Sequence, residues 1–339
     1  MAQSKPGELS VSDLPPAREI EFIAPAPSTE GSVTLSVHEG GSGPAVVLCH
    51  GFPELTFSWR HQYRPLVEAG FRVIVPSQRG YDGSHAPAEI EAYDIDHLTG
   101  DIVGLLDALE IDQAIFVGHD WGGFVAWAMP VLHPDRTLGV IGVNTPYMAR
   151  SPVPPTQALK MVAGDDEGSI YILWFQEPGV AESVLDAQPS LVFEKLMRQA
   201  RSPAEMMAEV AESGGDMNPF RRLEELPAVG QELLSADELQ VYIDAFKRSG
   251  FRGGVSWYRN FDRNWERHPE IGTQTIACPT LMITAEWDVA LSPALAADMP
   301  SRCTDLETVM IPECGHWTQQ EKPEELNQIM TDWLGRRFG

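Results

Sequence analysis

Apolar residues fall along this chain in short dense runs separated by polar, glycine-rich turns. Strand signals lie at residues 19–24 and 33–38. The runs at 45–49 and 138–143 are unbroken, which suits strands buried on both faces of a parallel sheet. Further strand-like runs lie at 71–75, 114–117, 280–284 and 308–311. Between 95 and 109 the spacing changes. Leu98, Ile102, Leu105, Leu106 and Leu109 recur at the helical period. A C-terminal helix is expected from about 323 to 334. From 146 to 271 the alternation of strand and helix stops. Helical patterns take over, joined by loops rich in Pro, Gly and Asp at 151–155, 164–168 and 214–219. The pattern predicts an α/β core, a doubly wound and mostly parallel eight-stranded sheet flanked by helices, with one inserted helical cap. The expected division is a flexible leader at 1–18, core at 19–147, cap at 148–270 and core again at 271–339.

Composition narrows the classes of function. With 339 residues and 43% hydrophobic content the chain has room for a large core. Its 49 Asp and Glu against 24 Lys and Arg leave a net charge of −25. So acidic a surface argues against nucleic acid and against anionic membranes. No apolar run approaches the ~20 residues of a membrane span. Residues 1–16 lack the apolar core of a signal peptide. Cys49, Cys278, Cys303 and Cys314 form no CxxC pair and show no metal-ligand spacing, so no metal is expected and the cytoplasm is the expected compartment.

The most informative six residues are Gly118-His119-Asp120-Trp121-Gly122-Gly123. An apolar strand precedes them and a helical pattern follows. Strand, glycine-flanked turn and helix make a nucleophile elbow, the signature of the α/β-hydrolase fold. Glycine flanks it because a Cβ would clash in so tight a turn. The exposed central residue is Asp120 where many such turns carry serine. A carboxylate there suggests attack on saturated carbon and an alkyl-ester intermediate. The helix end beside it is expected to favour the ionised form.

The other parts follow from position in that topology. Strand 45–49 leads into His50-Gly51-Phe52-Pro53-Glu54, and the Phe52 and Trp121 amides are assigned as an oxyanion hole. His316, in Cys314-Gly315-His316-Trp317 after the last strand, is the expected base. Its acid partner is expected after the preceding strand. Asp288 is chosen there, with Glu286 as rival. His50 and His119 are read as buried histidines that shape their turns. Arg150, Lys160 and Arg201 are read as solvated charges, with an acidic substrate as the alternative role for one of them.

The runs HGFPE (50–54), GHDWGG (118–123), YILWFQEPGVAE (171–182), SWYRNFDRNW (256–265) and ECGHWTQQEKPEELN (313–327) closely resemble soluble epoxide hydrolases of the α/β-hydrolase superfamily. The resemblance covers roughly residues 20–337. It implies an epoxide substrate and water, and neither cofactor nor metal. It implies that two cap tyrosines, Tyr171 and Tyr258, hold and protonate the epoxide oxygen. Phe52, Trp121, Phe175, Gln176 and Trp317 are the implied substrate contacts. It also implies a cis Phe52-Pro53 bond, and a monomer or homodimer. The phosphatase-like domain of some vertebrate relatives is not recognised here, so no second activity is expected. The tyrosines have a chemical purpose. An opened epoxide leaves an alkoxide, and a phenol of pKa ~10 remains protonated at neutral pH and can donate to it.

Two other readings compete. A dehalogenase would use the same Asp120, Asp288 and His316, with the Trp121 indole on the halide, and would leave the tyrosine pair idle. A silent receptor for a small apolar ligand would need neither nucleophile, acid nor base. No G-x-S-x-G occurs, so a serine esterase is not expected.

Overall fold

A computed structural model of the protein describes residues 13–26, 28, 31–212, 216 and 218–339. Its centre is one eight-stranded sheet: β1 (Arg18–Ile23), β2 (Ser32–Gly40), β3 (Ala45–Cys49), β4 (Arg72–Pro76), β5 (Ala114–His119), β6 (Thr137–Val143), β7 (Thr280–Ala285) and β8 (Leu306–Ile311). The spatial order is β1-β2-β4-β3-β5-β6-β7-β8. β1 and β2 pair antiparallel, as do β2 and β4. Every later pairing is parallel. The strand order turns back at β3, so the carboxyl ends of β3 and β5 lie side by side, where such folds form their binding crevice.

Strand period decides which side chains face which layer. In β3, Ala45, Val47 and Cys49 face one layer while Val46 and Leu48 face the other. β5 divides the same way, with Phe116 on the first side and Ile115 and Val117 on the second. Both faces are covered, so these strands are apolar throughout. β8 alternates between half-buried and exposed positions, as an edge strand should.

Residues 1–12 of the expected leader lie outside the described residues. Its last part is tied down. Leu14 packs against the second layer, and the Pro15 carbonyl bonds to His38 Nδ1 at 2.6 Å.

Eight α-helices lie between β6 and β7 among the described residues, several of them very short. The helix Tyr171–Trp174 has four residues and Arg252–Arg259 has eight. The longer helix Ala236–Ser249 opens on a capping box, in which Ser235 and Glu238 satisfy each other's backbone amides. The insert approaches the core closely at Gly253, where a Cβ would come within 2.1 Å of the Gly80 carbonyl. Ion pairs cross the seam as well, with arginine on the insert: Arg248–Asp82, Arg263–Asp94 and Arg267–Asp96. No described helix is long and apolar enough to cross a membrane.

Candidate active site

The turn after β5 places Asp120 at φ 49°, ψ −122°, a region that costs a non-glycine residue conformational energy. Close neighbours hold it there. A Cβ on Gly118 would lie 2.0 Å from the Gly122 carbonyl, and one on Gly122 would lie 2.0 Å from the Cys49 carbonyl. Only glycine permits this approach. Thr145 Oγ1 also donates to the Asp120 carbonyl at 2.8 Å.

The two carboxylate oxygens of Asp120 face different partners. Oδ1 accepts the Phe52 amide at 2.8 Å, and the Trp121 amide also bonds the carboxylate. Oδ2 faces His316 Nε2 at 3.8 Å, too far for a direct hydrogen bond. Burial raises the Asp120 pKa above its ordinary value, against the pull of His316, His119 and the two amides. The amides at the helix end favour the anion, as expected, while loss of solvent works against it. The Phe52-Pro53 bond is cis.

His316 Nδ1 bonds Asp288 Oδ2 at 2.9 Å. The other oxygen of Asp288 accepts the Ala290 and Leu291 amides, both at 2.9 Å. Burial opposes the Asp288 charge, yet His316, Leu291 and Asn144 hold its carboxyl far below the usual range. Burial likewise opposes a charged His316, but Asp288, Asp120 and Glu54 push it up to about 9. Glu286 points elsewhere, accepting the Glu313 amide at 2.9 Å.

Tyr171 and Tyr258 face this charged floor, with ring centroids 5.8 Å apart and their hydroxyls bonded to each other. Burial, then the nearby Asp120 charge, pushes both phenols well above their ordinary range. They remain neutral donors.

Two cavities meet here, and Asp120, Tyr171 and Tyr258 line both. The larger, about 440 Å³, runs past Trp121, Phe124, Ile172 and Phe261. The smaller, about 290 Å³, is bounded by Phe52, Phe220, His316 and Trp317. Of the expected substrate contacts, Phe52, Trp121 and Trp317 line a cavity. Phe175 and Gln176 do not, and that expectation is corrected. Phe175 is fully buried behind the tyrosines, 5.5 Å from the Tyr171 ring and 5.0 Å from that of Tyr258. Gln176 Nε2 donates to the carbonyls of Ile172 and Tyr258 and so ties the two tyrosine segments together.

Three participants escaped the sequence reading. Asn144, at the end of β6 with φ 63°, donates through Nδ2 to Asp288 Oδ2 at 2.7 Å. Thr318 Oγ1 donates to its Oδ1 at 2.7 Å and fixes the amide. Glu54 is buried and accepts from the Gly51 amide, Gln319 Nε2 and His119 Nδ1. His119 Nε2 meets the His316 carbonyl at 2.7 Å. Both nitrogens of His119 therefore face acceptors, and its ring braces the loop that carries His316. For Asn144 the only hint in the sequence was its place directly after an apolar strand. His50 is buried, its Nε2 accepts the Gln78 amide at 3.2 Å and its Nδ1 lies 3.1 Å from the Gly51 carbonyl, and burial pushes its pKa down to about 4.

Comparison with known proteins places this geometry. A family model described as alpha/beta hydrolase fold matches residues 44–323. Epoxide hydrolase A of Mycobacterium tuberculosis is 42% identical over 310 residues, which is 89% of this chain and 94% of that one. Bifunctional epoxide hydrolase 2 of Sus scrofa is 42% identical over 303 residues, covering 89% of this chain and 53% of that one. The crystal structure of epoxide hydrolase A from Mycobacterium thermoresistibile superposes with a TM-score of 0.84 at 39% identity, over 94% of this chain and 97% of that one. The chain belongs to the alpha/beta hydrolase fold family, in the branch of the epoxide hydrolases.

Proposed function

We propose that the protein hydrolyses epoxides to vicinal diols through an ester on Asp120. The observation that carries this reading is the placement of Asp120 Oδ2 between His316 Nε2, at 3.8 Å, and the two facing cavities roofed by neutral Tyr171 and Tyr258. The relatives named above support it.

In this reading the epoxide oxygen takes hydrogen bonds from both tyrosines. Asp120 Oδ2 attacks a ring carbon, the carbon–oxygen bond breaks, and a tyrosine gives its proton to the alkoxide. Asp120 is now a neutral ester. Its negative charge no longer supports a protonated His316, so the imidazole pKa falls from about 9. The proton it releases restores the tyrosine. Neutral Nε2 then removes a proton from water, which attacks the ester carbonyl. The oxyanion develops on Oδ1, where the Phe52 and Trp121 amides already stand; one such donor is worth ~10²–10³ in rate. Collapse frees the diol and restores the starting charges. The reading takes the cytoplasm as compartment, supported by four free cysteines.

The test is diol formation from a styrene-type epoxide by purified wild type, with Asp120→Ala as control. Diol from wild type alone supports the reading. Equal diol from both removes Asp120 as nucleophile. One observation favours a dehalogenase instead: Trp121 Nε1 is buried with no hydrogen-bond partner. Halide release from a chloroalkane, without diol from any epoxide, would select that reading.

A further inference from the structure

The two amides assigned to the oxyanion hole follow the central strands of the order β4-β3-β5-β6, Phe52 after β3 and Trp121 after β5. Each amide is one end of a planar trans peptide, whose N–H and C=O point in opposite directions. The Phe52 amide shares its peptide with the Gly51 carbonyl, and the Trp121 amide shares its own with the Asp120 carbonyl. Each of these carbonyls is held by a buried hydroxyl. Tyr81 Oη donates to the Gly51 carbonyl at 3.2 Å, and Thr145 Oγ1 donates to the Asp120 carbonyl at 2.8 Å. Tyr81 lies on the loop after β4 and Thr145 just after β6, so the strand outside each central strand supplies the grip. Neither residue lines the two cavities of the site.

These bonds exceed what the turns require. Backbone amides already close both turns, from Glu54 to the Gly51 carbonyl at 3.3 Å and from Gly123 to the Asp120 carbonyl at 3.0 Å. The hydroxyls add a second donor to each. Gly51 has another. The Gln78 amide donates to His50 Nε2, which leaves the proton of the neutral ring on Nδ1, 3.1 Å from the Gly51 carbonyl. A hydrogen bond at one end of a peptide polarises it and strengthens the donor at the other end, by roughly 10–30%. It also fixes the plane of the peptide, and so the aim of its N–H. Tyr81 is fixed in turn by the helix that carries Tyr258. A Cβ on Gly254 would come within 2.6 Å of its hydroxyl, and the Trp257 ring centroid lies 5.5 Å from its own.

We propose that Tyr81 and Thr145 are positioning residues of the oxyanion hole, which aim and strengthen the Phe52 and Trp121 amides for hydrolysis of the Asp120 ester. The proposal rests on the epoxide-hydrolase reading above. In that step water adds to the ester carbonyl carbon, its proton passes to His316 Nε2, and the carbonyl π pair moves onto Oδ1. Oδ1 goes from a partial to a full negative charge, so the amides bond the intermediate more tightly than the ester. Ring opening runs the other way. Asp120 begins that step as an anion and ends it as a neutral ester, so its bonds to the amides weaken. Stronger amides therefore speed the second step and give no help to the first.

The test measures both steps in single turnovers of a styrene-type epoxide, by rapid quench and intact-protein mass, for wild type, Tyr81→Phe, Thr145→Val and Thr145→Ser. Tyr81→Phe and Thr145→Val keep the shape of the side chain and remove the hydroxyl. Each should slow ester hydrolysis by about two- to ten-fold and leave ring opening no slower. Thr145→Ser keeps the hydroxyl and should hydrolyse the ester faster than Thr145→Val. A merely structural role would slow both steps together. Equal slowing of the two steps overturns the proposal, and hydrolysis at the wild-type rate in either hydroxyl-free variant overturns it for that residue. Should Thr145→Val fail to fold, Tyr81→Phe makes the same test alone. Nitrogen NMR of protein labelled at Phe and Trp separates the grip from the reaction. Tyr81→Phe should move the Phe52 amide nitrogen upfield and leave that of Trp121 in place, and Thr145→Val should do the reverse. If wild type opens no epoxide, the proposed function fails. The paired shifts would still support the aiming of the amides, and their absence would overturn it.

Discussion

Asp120, Asp288 and His316 stand at the carboxyl ends of strands in one sheet, or on the loops that leave them. Tyr171 and Tyr258 stand opposite, on short helices of the insert. Both groups are taken out of water, and burial acts on them in opposite senses. On the floor, every charge has a counter-charge. Asp288 keeps its anion because His316 is beside it, and His316 keeps its proton because Asp288 and Asp120 are beside it. On the roof burial and the Asp120 charge both favour the neutral form of the phenols. The same dry cleft thus holds an ion network below and a pair of weak acids above. What separates the two is the partners each side chain has, rather than its depth.

The contrast breaks most severely at Asp120. Asp120→Ala should lower diol formation by at least about 10⁴-fold, as loss of a nucleophile does elsewhere. Substantial residual turnover, measured against buffer, would assign attack to another group. His316→Gln comes next and divides the two steps. The floor should still open the ring but fail to hydrolyse the ester, so intact-protein mass should rise by the whole mass of the epoxide. An unmodified protein after incubation would refute the covalent route or this base. The roof follows. Tyr171→Phe or Tyr258→Phe should each slow ring opening by about 10²-fold, and the double variant should nearly abolish it. Rapid-quench measurement of ester formation reads this directly.

Smaller effects sharpen the electrostatic half of the contrast. Asn144→Ala removes a hydrogen bond to a charged carboxylate and should slow ester hydrolysis by roughly ten-fold, with ring opening less affected. Equal slowing of both steps would show a general loosening of the floor. His316 is the most instructive titration. Its folded-state pKa of about 9 lies above its ordinary 6.5. Its contribution to stability is therefore full below pH 6.5 and is lost as pH rises through about 9. Thermal melts of wild type should decline across that window. In Asp120→Asn one supporting charge is gone, so NMR titration should place His316 lower and the decline should begin earlier. An unmoved His316 signal would mean that Asp120 contributes little to it.

Much of the sheet was legible in advance because its strands are covered on both faces. The runs in β3, β5 and β6 are unbroken for that reason. β8 was read short, from residue 308, because its edge position exposes every other side chain. The elbow was legible because its glycines are imposed by contacts within a few residues of each other. Asn144 and Glu54 were not. Each is a single polar residue whose partners lie far along the chain: Asp288 is 144 positions from Asn144, and Gln319 is 265 from Glu54. No local pattern encodes such a meeting. The tyrosines lay between these cases. A four-residue helix has too little length for periodicity, so Tyr171 was found by resemblance alone. Phe175 and Gln176 came with the same motif and were assigned to the substrate. Their neighbours show that they support the tyrosines instead.

The unequal treatment of the two Asp120 oxygens has an isotopic consequence under the proposed route. Oδ1 is held by the Phe52 amide, while Oδ2 faces His316. When the ester breaks at its carbonyl carbon, the diol leaves with the oxygen that was Oδ2, and the oxygen of water takes its place. Each product molecule therefore carries an atom that the enzyme acquired in the turnover before. After many cycles in isotopically heavy water the Asp120 peptide should hold one heavy oxygen, with Oδ1 retained from biosynthesis. Two heavy oxygens would mean that the carboxylate rotates between cycles and that the amides release it each time.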